Sequence, residues 1–120
     1  MHNFKELKTW QEAIELNTMV YQLAISFPKE HRFEISSQMI RAAISIPSNI
    51  AEGCGRGTNA QLLHFLDIAQ GSAYELETQL IICERIQLKT KEQIAPCLEK
   101  VQFVQILIAN FKKYVSKQSH

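Results

Sequence analysis

The sequence is poor in the residue patterns from which most metal and catalytic sites are built. Its three cysteines, Cys54, Cys83 and Cys97, do not have the spacing of a zinc site. None of the histidines follows a glutamate by three positions, so the Glu-x-x-His motif of di-iron helical bundles is missing. No nucleophile stands in a recognisable catalytic motif. We therefore expect a protein that is not an enzyme and that has no metal, no cofactor and no small-molecule substrate.

An excess of charge of one sign and a long hydrophobic run are also lacking. Thirteen Lys and Arg residues against twelve Asp and Glu residues give a net charge of +1, so no overall field attracts nucleic acid or an anionic membrane. The most apolar stretch, 101–111, is interrupted by Gln102, Gln105 and Asn110. We expect no membrane span. Three cysteines cannot all pair, and buried reduced thiols suit a cytoplasmic location.

Helical periodicity, in contrast, runs through nearly the whole sequence. Thr-x-x-Glu or Thr-x-x-Gln patterns typical of a capping box begin at Thr9, Thr58 and Thr90, each ahead of apolar residues spaced by three and four. The most regular of these series is Leu62, Leu66, Ala69, Ala73, Leu76, Leu80 and Cys83. The predicted helices span about 9–27, 32–55, 59–88 and 91–116. The sequence thus predicts a single all-α domain over residues 1–120, an antiparallel up-down-up-down four-helix bundle.

Two prolines fall inside the predicted helices. Pro47 has no N–H to donate to the carbonyl of Ala43, which costs about 3 kcal/mol in an ordinary helix. It predicts either a kink, with Ser45 or Ser48 close to the freed carbonyl, or a break into two helices. Pro96 leaves two alternatives open, a bent first turn or a regular helix that starts just before the proline.

Polar residues on the two central helices form a first set of candidate interaction residues. Gly53, Gly55 and Gly57 indicate a turn between these helices. If the helices turn back on each other there, Arg41 comes within reach of Glu75, and we expect an ion pair between them. Gly71 points away from the apolar seam, so either a second subunit approaches its backbone or it is a tolerated surface glycine. The set is Arg41, Ser45, Pro47, Asn49, Glu52, Gly53, Arg56, Gly71, Ser72 and Glu75.

Basic residues form a second set, candidate contacts to RNA or DNA. A ring of subunits would multiply each small basic patch by the number of subunits. The alternative is that these residues are solvated helix ends and that the partner is another protein. The set is Lys5, Lys8, Arg56, Arg85, Lys89, Lys91, Lys112, Lys113 and Lys117.

Apolar residues outside the bundle seams predict self-association, because an exposed apolar surface of this extent usually marks an interface. They are Ile40, Ile44, Pro47, Ala51, Ile68, Ile82, Ile86, Phe103 and Leu107.

The segments SIPSNIAEGCGR and FLDIAQGSAYELETQL also resemble a known family. Both are similar to bacterial four-helix-bundle proteins encoded in intervening sequences of large-subunit ribosomal RNA genes, which are related to accessory proteins of diversity-generating retroelements. The resemblance extends from Phe4, Leu7 and Trp10 to Leu80. It implies a homo-oligomeric ring, commonly a pentamer, without established catalytic activity. It also implies a nucleic acid or a nucleoprotein as the partner.

Overall fold

The structure, a computed structural model, describes residues 2–118, apart from the side chains of residues 31–33. Four helices make up this part of the chain: α1 (Lys8–Ile25), α2 (Ser37–Cys54), α3 (Asn59–Arg85) and α4 (Lys91–Gln118). Short 3-10 turns lie at Phe4–Glu6 and Lys29–His31, and a single π-helical turn, Arg32–Ser36, leads into α2. The described residues contain no β-strand. The predicted all-α class is confirmed.

The helices form an elongated antiparallel bundle of 50 × 22 × 20 Å. Each helix packs against the next one in the chain, and α4 closes the bundle against α1. The heptad series predicted for α3 is buried in full between its neighbours. Fully burying a large aliphatic side chain contributes about 1.5–3 kcal/mol, so this seam is a main source of stability. The largest buried side chains are Phe27, Leu16, Met39, Ile46, Ile50, Leu66, Leu76, Leu80, Ile94, Ile108, Val20 and Val101.

Two of the three predicted helix starts are capped by threonine. At Thr90 the capping box is complete: the Gln93 N–H donates to Thr90 Oγ1 at 3.1 Å, and the Thr90 N–H donates to Gln93 Oε1 at 2.9 Å. At Thr58 half of the box forms, because the Gln61 N–H donates to Thr58 Oγ1 at 3.1 Å while the hydroxyl donates to Gln61 Oε1 at 3.2 Å. These bonds satisfy amide groups that have no partner inside the helix.

The capping box predicted at Thr9 is wrong. Helix α1 begins at Lys8, its N-cap residue is Leu7, and Thr9 is buried inside the first turn. The carboxylate of Glu12, which would have completed the box, instead accepts a hydrogen bond from Lys100 Nζ on α4 at 2.6 Å. A tertiary contact has taken the place of a local one.

Helix α2 is continuous through Pro47, so the predicted alternative of a break into two helices is wrong. The carbonyl of Ala43 is satisfied by a residue from another helix: Asn17 Nδ2 on α1 donates to Ala43 O at 2.7 Å and to Ala13 O at 2.9 Å. Ser45 and Ser48, which were predicted to lie close to this carbonyl, lie elsewhere: Ser45 Oγ faces α3, and Ser48 is exposed. Asn17 thus replaces the donor that Pro47 lacks.

Helix α4 begins at Lys91, ahead of Pro96. The alternative in which regular helix starts just before the proline is therefore wrong. A start at Lys91 fits the complete capping box at Thr90, which fixes the first turn before the proline is reached.

The end of α3 carries a left-handed residue that is not glycine. Gln87 has φ 65°, and the turn is closed by the N–H of Leu88 donating to the carbonyl of Cys83 at 3.0 Å. This is the arrangement of a Schellman motif, in which glycine is the favoured residue.

We expect Gln87→Gly to raise the free energy of unfolding by about 1 kcal/mol, because the left-handed conformation is strained for a residue with a Cβ. Urea unfolding of both proteins measures this difference. Gln22→Gly is the opposite control: Gln22 is exposed within α1, and glycine there should cost about 1 kcal/mol. A loss of stability at both positions would contradict the interpretation of Gln87.

Candidate interaction surfaces

The polar strips of α2 and α3 meet at two serines. Ser45 Oγ and Ser72 Oγ lie 2.8 Å apart, and Asn49 Nδ2 donates to both the carbonyl and the hydroxyl of Ser45, at 2.8 and 2.9 Å. All of these groups are partly buried. The network therefore fixes the register of α2 against α3, and it leaves these side chains little capacity to bind anything else.

The ion pair predicted between Arg41 and Glu75 is not formed within the chain. Ion pairs in the described part of the structure join Glu52 to Arg56, Glu12 to Lys100 and Asp67 to Lys112. Arg41 lies one turn before Ser45 and Glu75 one turn after Ser72, so antiparallel packing places the two at the same level. Both residues are exposed, and an ion pair between exposed side chains contributes at most about 1 kcal/mol.

Gly53 lies where α2 meets the start of α3. A Cβ at this position would lie 2.9 Å from both Leu62 Cδ1 and Phe65 Cβ. The absence of a side chain therefore allows the close approach of the two helices. Gly57 and Gly71, in contrast, have no heavy atom within 4 Å of an added Cβ. In the described part of the chain, no neighbouring group therefore packs on Gly71 where a side chain would be.

Arg56 is engaged at the same end of the bundle. Its guanidinium bonds to Glu52 Oε2 at 2.8 Å and lies 4.9 Å from the centre of the Phe65 ring. Both charged side chains are about half exposed, so this contact still leaves part of the guanidinium open to solvent.

The topology divides the basic residues between the two ends of the bundle. Lys5, Lys8, Arg56 and the three lysines of α4 lie towards the α2–α3 turn, and Arg85, Lys89 and Lys91 lie at the α3–α4 turn. The α4 lysines are Lys112, Lys113 and Lys117.

Several of these basic groups already have partners in the chain. Lys112 pairs with Asp67, the Lys8 ammonium lies 5.4 Å from the centre of the Phe103 ring, and Lys89 Nζ donates to the carbonyl of Ser26 at 3.2 Å. Lys89 thus caps the C-terminal end of α1, where a positive charge is favourable. Of the candidate basic set, Lys5, Arg85, Lys91, Lys113 and Lys117 have neither an ion pair nor one of these other side-chain partners in the described part of the chain.

Most of the apolar residues predicted to lie outside the seams remain accessible. Ile44 is 52% exposed, and Ile68 and Ile82 of α3, together with Ile86 at its C-cap, are 40–51% exposed. Pro47 is the exception, since it is buried. Phe103 is also exposed, and the others, Ile40, Ala51 and Leu107, are half-buried.

An apolar groove between α1 and α2 is the feature that sequence reasoning missed. It consists of two adjoining cavities of about 320 and 340 Å³ that share Asn17 and Ile44. None of the lining residues is charged. They are Phe4, Trp10, Ile14, Asn17, Thr18, Val20, Tyr21, Ile40, Ala43, Ile44, Pro47, Ser48 and Ala51. We call this feature the α1–α2 groove. The apolar residues on both helices were a signal, but the groove exists only once α1 packs against α2.

The three cysteines are free and buried. Burial raises the pKa of all three thiols, that of Cys83 to about 11, and Cys83 Sγ lies 3.5 Å from Met39 Sδ. They are therefore protonated at neutral pH, whereas a nucleophilic cysteine needs a low pKa and access to its substrate.

The raised pKa of Cys83 predicts a loss of stability at alkaline pH. The thiol ionises at about 9.0 when the chain is unfolded and at about 11 when it is folded. Between these values the unfolded chain binds fewer protons, so the free energy of unfolding falls as pH rises, by up to about 1.4 kcal/mol per pH unit. Below pH 9 this group adds no pH dependence. Denaturant melts across this range should show a steeper fall for the parent than for Cys83→Ala, and equal slopes would contradict the assignment.

The described residues contain no group of three or more His, Cys, Asp or Glu side chains that could hold a metal ion. Helix α4 is long and apolar enough, by length and composition alone, to cross a membrane. In the bundle its residues Val101, Val104 and Ile108 are fully buried against the other helices.

Comparisons with known proteins agree with this architecture. The structure is similar to the crystal structure of a protein of unknown function from the S23 ribosomal protein family of Bacteroides thetaiotaomicron, with a TM-score of 0.79 and 23% sequence identity. The match covers 88% of this chain and 98% of the other, and it shows a common fold. A comparison with curated proteins found no match. The model of the 23S rRNA-intervening sequence protein family matches residues 5–110. The chain therefore belongs to the 23S rRNA-intervening sequence protein family.

Proposed function

We propose that this protein is a non-enzymatic, cytoplasmic homo-oligomer that acts as an adaptor or scaffold for RNA, DNA or a nucleoprotein. The observation that carries the proposal is the apolar surface left open on α2 and α3, at Ile44, Ile68, Ile82 and Ile86. Isoleucines exposed to this degree on two helices of one bundle are typical of an interface. A closed ring of five subunits is the form that the family resemblance implies.

Assembly would also compensate for the small net charge of the single chain. With a net charge of +1, one subunit has no excess of positive charge that would attract a polyanion by itself. Lys113 and Lys117 are exposed one turn apart near the end of α4, and Lys5 lies towards the same end of the bundle. Repeated around a ring, such a pair becomes a band of positive charge that several phosphates can contact at once.

A scaffold that binds only proteins is the second candidate. The α1–α2 groove supports it, because a groove lined without a single charged residue suits an apolar surface better than a phosphate backbone.

Binding of mixed RNA as a function of salt separates the two candidates. If nucleic acid is the partner, the affinity should fall steeply between about 50 and 200 mM salt. The double variant Lys113→Gln, Lys117→Gln should weaken binding and reduce the slope of log K against log salt by about 1 for each lost phosphate contact.

The double variant Arg85→Gln, Lys91→Gln removes the same charge at the opposite end of the bundle and is the matched control. An equal effect of both double variants would show that net charge, and not the end of α4, determines binding. If the parent protein shows no salt-dependent binding of RNA or DNA, the nucleic-acid role is wrong and the protein-binding scaffold is favoured.

A further inference from the structure

The α1–α2 groove has the size and the chemistry to accept a helix. Its lining runs along α1 from Trp10 to Tyr21, which is about 17 Å at 1.5 Å per residue. The only amide side chain in the lining, Asn17, already donates its two N–H groups to Ala13 O and Ala43 O. It therefore has no N–H left for a polar partner in the groove. An apolar face of a helix is the occupant that such a groove accommodates.

A face that carries three exposed isoleucines lies along α3. Ile68, Gly71, Glu75 and Ile82 on α3, and Ile86 at its C-cap, follow one another at spacings of three, four, seven and four, which places them on one side of the helix. We call this set the α3 stripe. Its three isoleucines are 40–51% exposed, and no neighbouring group among the described residues lies within 4 Å of a Cβ added at Gly71. At about 27 Å the stripe is long enough to fill the groove.

Charge distinguishes this stripe from other apolar patches. Glu75 stands in the middle of the stripe, is exposed and forms no ion pair in the described part of the chain. Arg41 is likewise exposed and unpaired, and it lies on α2 beside the groove residues Ile40 and Ile44. The stripe therefore carries one carboxylate, and the rim of the groove carries one guanidinium. They are complementary if the stripe of one molecule meets the groove of another.

We propose that the α3 stripe of one copy of this chain docks into the α1–α2 groove of a second copy, with Glu75 of the first paired to Arg41 of the second. Each subunit then has one groove and one stripe, so the contact is head-to-tail, and successive contacts close into a ring if the rotation permits. The missing side chain at Gly71 lets the two helices approach closely. This inference rests on the proposed homo-oligomer and names the surfaces that form it.

Mixing two single variants tests the contact. Ile44→Asp disables the groove, and Ile82→Asp disables the stripe. Because both positions are exposed, we expect both variants to fold, and circular dichroism checks this. In light scattering coupled to size exclusion, each variant alone should have the mass of one 13.8 kDa chain. A one-to-one mixture should form a dimer that does not grow, because only one intact groove and one intact stripe can still meet. Ile106→Asp, at a residue of α4 that is 58% exposed and outside both surfaces, should assemble like the parent.

Charge reversal tests the ion pair. Arg41→Glu and Glu75→Arg should each weaken assembly, and the two together should restore it. An assembly that persists in Ile44→Asp or in Ile82→Asp, or a mixture that stays monomeric, would overturn the contact. A double reversal without restoration would overturn the pairing of Arg41 with Glu75. If the parent itself is a monomer, the proposed homo-oligomer fails together with this contact, whereas an oligomeric parent with insensitive variants overturns the contact alone.

Discussion

Gly53→Val is expected to lower the free energy of unfolding by about 2–3 kcal/mol, the usual cost of overpacking a closely packed site. The first added carbon already lies 2.9 Å from Phe65 Cβ, an atom fixed to the α3 backbone that cannot rotate away. Relief would require the end of α2 to move away from the start of α3. Urea unfolding followed by circular dichroism measures the change.

Gly57→Val is the matched control for this substitution. Gly57 lies four residues further on in the turn between the same two helices, it is exposed, and no heavy atom lies within 4 Å of an added Cβ. A substitution at such a site is usually worth less than about 0.5 kcal/mol. Equal effects at the two positions would show that the close approach at Gly53 does not limit the stability.

The second large effect is expected at Asn17. Asn17→Leu should lower the free energy of unfolding by about 1–3 kcal/mol, because the carbonyl of Ala43 is then left buried without the amide that bonds to it at 2.7 Å. When Pro47→Ala is also present, the alanine at position 47 has an N–H that can donate to the Ala43 carbonyl within α2. The same change at Asn17 should then cost much less.

Four proteins measure this coupling in a double-mutant cycle: the parent, Asn17→Leu, Pro47→Ala and the combination of the two. We expect a coupling energy of about 1 kcal/mol or more, since both groups act on one carbonyl. If Asn17→Leu costs the same in both backgrounds, the amide does not replace the N–H that Pro47 lacks.

The parts of the fold that were predicted correctly depend on residues close together in sequence. The heptad seam of α3 and the capping box of Thr90 with Gln93 are local patterns, and both are present in the structure. The predicted start of α2 at residue 32 lies five residues early, because the turn Arg32–Ser36 is π-helical. No pattern in the sequence distinguishes such a turn from α-helix.

The errors arose where a residue distant in sequence decides the outcome. Glu12 has a local role in the sequence pattern, but it pairs with Lys100, which is 88 residues away. The donor for the Ala43 carbonyl is Asn17, which is 26 residues away, and not one of the serines close to it in sequence. Long-range contacts of this kind follow from packing, which the helical period alone does not specify.

The candidate surfaces were predicted only in part, because they too depend on how the helices pack against one another. The helical wheel of α3 placed Ile68 and Ile82 outside the seam, and both are exposed. Pro47, assigned to the outer face of α2, is buried. The α1–α2 groove beside it could not be derived from either helix alone.

The central claim, that this chain works as a homo-oligomer, is tested most directly by the mass of the parent protein in solution. Light scattering coupled to size exclusion at micromolar concentration should give a multiple of the 13.8 kDa chain mass, and five chains if the ring has the proposed form. A dimer or a tetramer would contradict only the five-membered ring. A mass of one chain across the micromolar range would contradict the claim itself.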